Sequence, residues 1–163
     1  MQFYLKPLGG PRCLFAIRDP GGHRVYEVTG KTTPFGNQFF LFDKEHRLAG
    51  RSSGVRLSGV SRYSVLAGKK RLLVTIGSPV SRQPVRIRGK HWYFRGSLLT
   101  RSFDLLDEAS QTVMTHGRCW EQSGNCYAVE ISKPEDVPLC LCLSVLIDCT
   151  ILGGHTLPVP AGG

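Results

Sequence analysis

Residues 138–152, PLCLCLSVLIDCTIL, form the only long apolar run in the chain. From Leu139 to Ile147 its one polar side chain is Ser144, so the segment has no wet face and is not an amphipathic surface helix. Asp136 and Pro138 at the entrance and Gly153 and Gly154 at the exit punctuate a helix. The 14 residues from Leu139 to Leu152, at about 1.5 Å each, span roughly 21 Å, against roughly 30 Å for a bilayer core. Such a helix is too short to cross a membrane and must be wrapped by the rest of the chain. The rest reads as strands, which predicts a helix inside a closed sheet.

At 163 residues the chain is expected to be one domain that buries roughly two-thirds of its unfolded surface. Its 19 Gly and 10 Pro fall mostly between short apolar segments, as turns in an all-β chain do. Strands are predicted at 2–5, 13–18, 24–29, 38–42, 46–51, 62–66, 71–76, 85–88, 92–95, 102–106, 111–116 and 125–131. The domain is expected over 1–154, and the Pro/Gly-rich tail HTLPVPAGG at 155–163 is expected to fray. The opening MQFYLKPLGG has neither the basic leader nor the apolar core of a signal peptide. A cytoplasmic monomer, peripheral at a membrane if attached to one, is therefore the expectation.

An internal repeat sharpens the fold. A shift of 64 residues places Asp107 on Asp43, Val113 on Ala49, Tyr127 on Tyr63 and Val129 on Val65 without a gap. Two such units would make the two halves of one barrel. About twelve strands enclose more space than side chains alone fill, and a helix of roughly 10–12 Å diameter is a fitting plug.

The segments VYEVTGK at 25–31, GNQFFLFD at 36–43, the second copy of the unit, and SKPEDVPLCLCLSVLIDC at 132–149 resemble the LURP-one-related family. That family belongs to the tubby-like C-terminal superfamily, to which phospholipid scramblases are also thought to be related. The resemblance covers nearly the whole chain and implies a mainly β fold, a twelve-stranded closed barrel around a central hydrophobic C-terminal helix. Tubby proteins hold phosphoinositide headgroups with a Gly-Lys segment followed by an Arg two residues after the Lys. Here Lys31 of Gly30-Lys31-Thr32-Thr33 matches the Lys, while Thr33 stands where the Arg is expected.

Charge carries the remaining functional signal. Between Lys44 and Arg101 there are 14 Lys and Arg against the single acid Glu45, a net of +13 that leaves −4 for the rest of a chain of +9. Such asymmetry draws polyanions to one face. In VRIRGKHWYFRG at 85–96, alternation puts Arg86, Arg88 and Lys90 on one side of a strand and Val85 and Ile87 on the other. Lys69, Lys70 and Arg71 form a second cluster at an expected hairpin tip. Any one of these cations is most simply a solvated surface group; the stretch as a whole reads as a binding face. The expected ligand is an anionic phospholipid headgroup, met by Lys31, Arg86, Arg88, Lys90 and Arg95. The alternative partner is nucleic acid or an acidic protein on the same face, with Trp92, Tyr93 and Phe94 as a stacking platform.

Catalytic, cofactor and metal sites are not expected. Gly68-Lys69 fails the phosphate-loop pattern, since Tyr63 and Lys70 occupy its first Gly and its Ser/Thr. Neither GxSxG nor HExxH occurs. Glu121 or Asp104 with His116 would make an acid–base pair, but all read as surface residues. Of six cysteines, Cys140, Cys142 and Cys149 lie in the helix as small buried hydrophobes. Cys13, Cys119 and Cys126 could pair in an oxidising compartment, and reduced thiols are the expectation. Asp148 interrupts the apolar run near the helix's carboxyl end, where the dipole disfavours an acid. The expectation is a carboxylate left wet at the barrel mouth; the sharper reading is a buried partner that locks helix register.

Overall fold

Twelve strands precede the apolar run, most of them alternating between a buried and a wetter face, while Leu14 to Ile17 are buried without a break. The computed structural model describes residues 1–8, 13–33, 36–57, 59–121 and 124–151. The exit glycines, the expected tail 155–163 and the side chains of Cys13, Thr33 and Glu121 lie outside the described residues. The strands are β1 (Gln2–Pro7), β2 (Cys13–Arg18), β3 (Arg24–Thr33), β4 (Gly36–Asp43), β5 (Leu48–Leu57) and β6 (Val60–Ala67). There follow β7 (Lys70–Ile76), β8 (Val85–Arg88), β9 (Tyr93–Ser97), β10 (Ser102–Leu106), β11 (Thr112–Glu121) and β12 (Gly124–Ile131). A 3-10 turn, Pro134–Asp136, leads into α1 (Val137–Ile151). Each of the twelve predicted strands is present, several of them longer than predicted.

Every pairing is between antiparallel neighbours, in the order β8-β7-β6-β5-β4-β3-β2-β1-β12-β11-β10-β9. The first strand pairs with the last, Phe3 opposite Val129, so the chain ends join the two halves. Among the described residues no ladder joins β8 to β9, and the barrel is nearly closed, with a seam there. At that end Asp136, itself buried, takes Lys90 Nζ at 2.5 Å and lies 3.9 Å from Lys70 Nζ. Lys70 also donates to the Glu135 carbonyl at 2.9 Å. The entry to α1 is thereby tied to strands of the first half of the sheet.

Helix α1 is buried on all its faces, with Leu139, Cys140, Leu141, Leu143, Leu146 and Ile147 wholly inaccessible. The inward residues of the sheet, such as Leu72, Val74 and Ile76 of β7, pack in the same core. Burying each such side chain contributes about 1.5–3 kcal/mol. The hydroxyls of α1 are satisfied inside the helix: Ser144 Oγ donates to the Cys140 carbonyl at 2.9 Å and Thr150 Oγ1 to the Leu146 carbonyl at 2.8 Å.

The 64-residue repeat is real at the level of hydrogen bonds. Asp43 Oδ1 accepts from the amides of Glu45 and Arg47, and Asp107 Oδ1 from those of Ala109 and Gln111, all at 2.9 Å. His46 and Ser110 take the same left-handed conformation, φ 60° in each. The ladders beyond also correspond, for Gly54 stands opposite Tyr63 as Arg118 stands opposite Tyr127.

Two sequence expectations are corrected. Asp148 is not wet but fully buried, with Oδ2 3.1 Å from His116 Nε2. His116 is likewise buried, stacked between Phe103 and Tyr127 at 4.5 and 5.3 Å. Its Nδ1 faces the Arg101 carbonyl at 2.8 Å, an acceptor only, so Nδ1 carries a proton. The contact between Nε2 and Asp148 then needs a second proton, shared by imidazole and carboxyl, and the pair is neutral overall. Arg101 covers the cluster, its guanidinium donating to the Tyr127 hydroxyl. The helix end is accommodated in the core by His116, a buried partner of the kind the sharper reading expected.

The other correction concerns cysteines. Cys119 and Cys126 are direct cross-strand neighbours in the β11–β12 hairpin, 5.2 Å apart at Cα, and form a disulfide rather than free thiols. Cys140, Cys142 and Cys149 are free and buried, as expected.

His116→Leu leaves the Asp148 carboxyl without its partner and is expected to cost about 3–5 kcal/mol. Asp148→Asn keeps a hydrogen-bonding group against Nε2 and should cost clearly less in urea unfolding; equal losses would contradict the shared proton. Burial pushes the Cys142 thiol from 9.0 up to about 12, and burial pushes Cys140 and Cys149 up as well. Below pH 9 both folded and unfolded chains keep these protons; above it only the unfolded chain sheds them. Stability should therefore fall between pH 9 and about 12, by roughly 1.4 kcal/mol per pH unit per thiol. Cys142→Ala should flatten that slope in denaturant titrations, and an unchanged slope would contradict the burial.

Candidate functional site

Alternation sends every second residue of β4 to β8 outward, and register then lines those residues up across the sheet. One row runs Lys31, Gln38, Ser53, Ser64, Leu73, Arg88, each directly opposite the next. The neighbouring row runs Val55, Arg62, Thr75, Arg86. Between them the outer face is concave, an open groove of about 580 Å³. Its walls include Gln38, Ser53, Ser64 and Thr75 as neutral hydrogen-bonding groups, with Arg62, Arg86 and Arg88 as cations. None of the described lining side chains is acidic.

The three arginines are exposed and make no ion pair among the described residues. Arg86 and Arg88 are two residues apart on one strand, roughly 7 Å, and Arg62 is two strands from Arg86, roughly 10 Å. Side chains of arginine length converge on one anion across such gaps, and the guanidinium fork matches paired phosphate oxygens.

Of the residues expected from the sequence, Arg86 and Arg88 stand in the groove with Val85 and Ile87 turned inward. Lys31 is exposed in the same outward row, five strands from Arg88, roughly 24 Å away. Lys90 does not continue the β8 row: beyond Gly89 its ammonium turns to Asp136 and lies 4.7 Å over the Trp92 ring. Arg95 is opposite Asp104 on β10 and bonded to it at 2.9 Å. Lys70 is engaged at the helix entry, as described above. Trp92 is buried and Phe94 packs on Phe103 at 5.0 Å, leaving only Tyr93 of that trio well exposed. The pair proposed from Asp104 and His116 is not assembled, since each has another partner. Among the described residues no group of three His, Cys, Asp or Glu is placed to hold a metal.

Arg62 is the site residue that the sequence reading passed over. Its signal was present in VSRYSVLA, where Ser61, Tyr63 and Val65 are inward and force Arg62 outward. What the sequence lacked was the register that sets β6 beside β7 and β8.

The repeat provides an internal control. The counterpart of Arg62 is Cys126, held in the disulfide, and the counterpart of Ser64 is Ala128. On that half the row continues from Ala128 to Tyr4 and Arg18, and Arg18 donates to the Gly22 carbonyl at 2.9 Å. At these two positions the first half carries Arg62 and Ser64 where the second carries Cys126 and Ala128, while the groove's Gly54 has the exposed Arg118 as its counterpart.

The chain resembles uncharacterised protein YxjI of Bacillus subtilis (strain 168), at 24% identity over 138 residues, 84% of this chain and 85% of that one. An X-ray structure of an Arabidopsis thaliana protein superposes with a TM-score of 0.59 at 15% identity, covering 91% of each chain. That likeness shows a shared fold. The profile of the LURP-one-related family matches residues 8–148, nearly the whole barrel and most of its helix, and the chain belongs to that family.

Proposed function

We propose that the chain is a non-catalytic binding module that attaches to anionic phospholipid headgroups at a membrane surface. The contact face is the outward side of β3 to β8, with Arg62, Arg86 and Arg88 at its centre and Lys31 at its margin. What supports this reading is the concentration of three arginines without acidic partners in one concavity, on one half of a repeated fold. Cations kept only for solubility would have no reason to exclude acids from the groove. Lys90 and Arg95, expected in the face from the sequence, are already neutralised and are left out of it.

Each basic residue near an anionic membrane contributes about 1 kcal/mol, so four together supply roughly 4 kcal/mol, enough for peripheral and reversible attachment. No helix among the described residues is long and apolar enough to span a bilayer. The cytoplasmic leaflet, rich in anionic lipid, is the surface such a face fits. A reducing cytosol would keep Cys119 and Cys126 as thiols; they do not line the groove, and the hairpin ladder holds them opposite in either state. The nucleic-acid alternative loses its platform, because bases need exposed aromatic faces and Trp92 and Phe94 are spent on packing.

Co-sedimentation with phosphatidylcholine vesicles, with and without phosphatidylserine, tests the reading. Binding should require the anionic lipid, and Arg62→Gln/Arg86→Gln/Arg88→Gln together should weaken it by about a hundredfold without lowering Tm. Arg95→Gln should leave it nearly unchanged. Binding indifferent to the triple substitution would overturn the proposal, as would a single-stranded oligonucleotide bound at matched salt in place of the vesicles.

A further inference from the structure

We propose that the groove seats one phosphate-bearing amphiphile per chain, its phosphate across Arg62, Arg86 and Arg88 and its apolar portion along Val55 and Leu73. This rests on the reading above and goes further, from an electrostatic surface to a single-molecule site. Val55 is 45% and Leu73 46% exposed, and both line the groove. Each sits beside a cation in the register, Val55 opposite Arg62 and Leu73 opposite Arg88. An apolar side chain left half in water beside an unpaired guanidinium gains from a ligand that covers both, and water covers neither well.

The dimensions and the surroundings agree. A volume of about 580 Å³ falls within the roughly 300–1,000 Å³ of pockets that hold small organic molecules. Ser53, Ser64, Gln38 and Thr75 complete the lining with neutral hydrogen-bonding groups, suited to the ester and glycerol oxygens of such a molecule. On the other half of the barrel Cys126 stands at the position of Arg62 and Ala128 at that of Ser64, so the groove is not repeated and the stoichiometry is one.

Isothermal titration with monomeric lauroyl lysophosphatidic acid, below its micellar concentration, reads the site directly. Saturable binding of one molecule per chain is expected, with glycerol 3-phosphate at least about tenfold weaker because it lacks the apolar part. Arg88→Gln and Leu73→Ser should each weaken lysophosphatidic acid by about tenfold. Leu73 is exposed, so Leu73→Ser should melt as the parent does and still sediment with anionic vesicles. Equal binding of glycerol 3-phosphate, or no effect of Leu73→Ser, would overturn the amphiphile site. Vesicle binding with no saturable lysophosphatidic acid binding would overturn it too while sparing the membrane-surface reading; loss of both would overturn both.

Discussion

The whole molecule depends on keeping α1 out of water. A helix with an apolar residue on nearly every face gains nothing from lying on a surface, and only a wrapping of sheet on all sides satisfies it. That demand selects a barrel of about twelve strands, since eight would close on their own side chains. The interior is filled by Leu, Ile, Cys and Val of the helix against the inward residues of the strands. Asp148 shows how strict the demand is, for the one acid that enters the core with the helix is accepted only with His116 sharing its proton.

The two halves of the barrel share one pattern of turn and ladder, and their faces differ. Both halves keep the Asp turn, the same ladder beyond it and an inward Tyr, at Tyr63 and Tyr127. The inward Tyr has taken two roles: Tyr63 lies under the helix end near Thr150, while Tyr127 joins the buried Arg101 and His116 cluster. The outward positions have parted further. Arg62 and Ser64 of the first half are matched by Cys126 and Ala128 of the second, and Gly54 by Arg118.

Much of this was legible in the sequence, and the reason differs from feature to feature. The helix could be read because an unbroken apolar run has a single solution at that length. The strands could be read because alternation is local, and VRIR alone sets Arg86 and Arg88 against Val85 and Ile87. Features that join distant segments could not. Arg62 belongs to the groove only because β6 lies beside β7 and β8, and Lys90 and Arg95 leave it because Asp136 and Asp104 arrive from elsewhere. The partner of Asp148 comes from 32 residues away. Cys119 and Cys126 are near in sequence, yet without the hairpin register their pairing was one of several possibilities.

Native-state hydrogen exchange across α1 tests the central claim most directly. If the sheet encloses the helix, the amides from Leu141 to Cys149 should exchange only through global unfolding, with the free energy and denaturant dependence of the strands around them. Exchange of those amides through a cheaper opening, while β5, β6 and β12 stay protected, would mean that the helix leaves its enclosure independently. The barrel would then not depend on it.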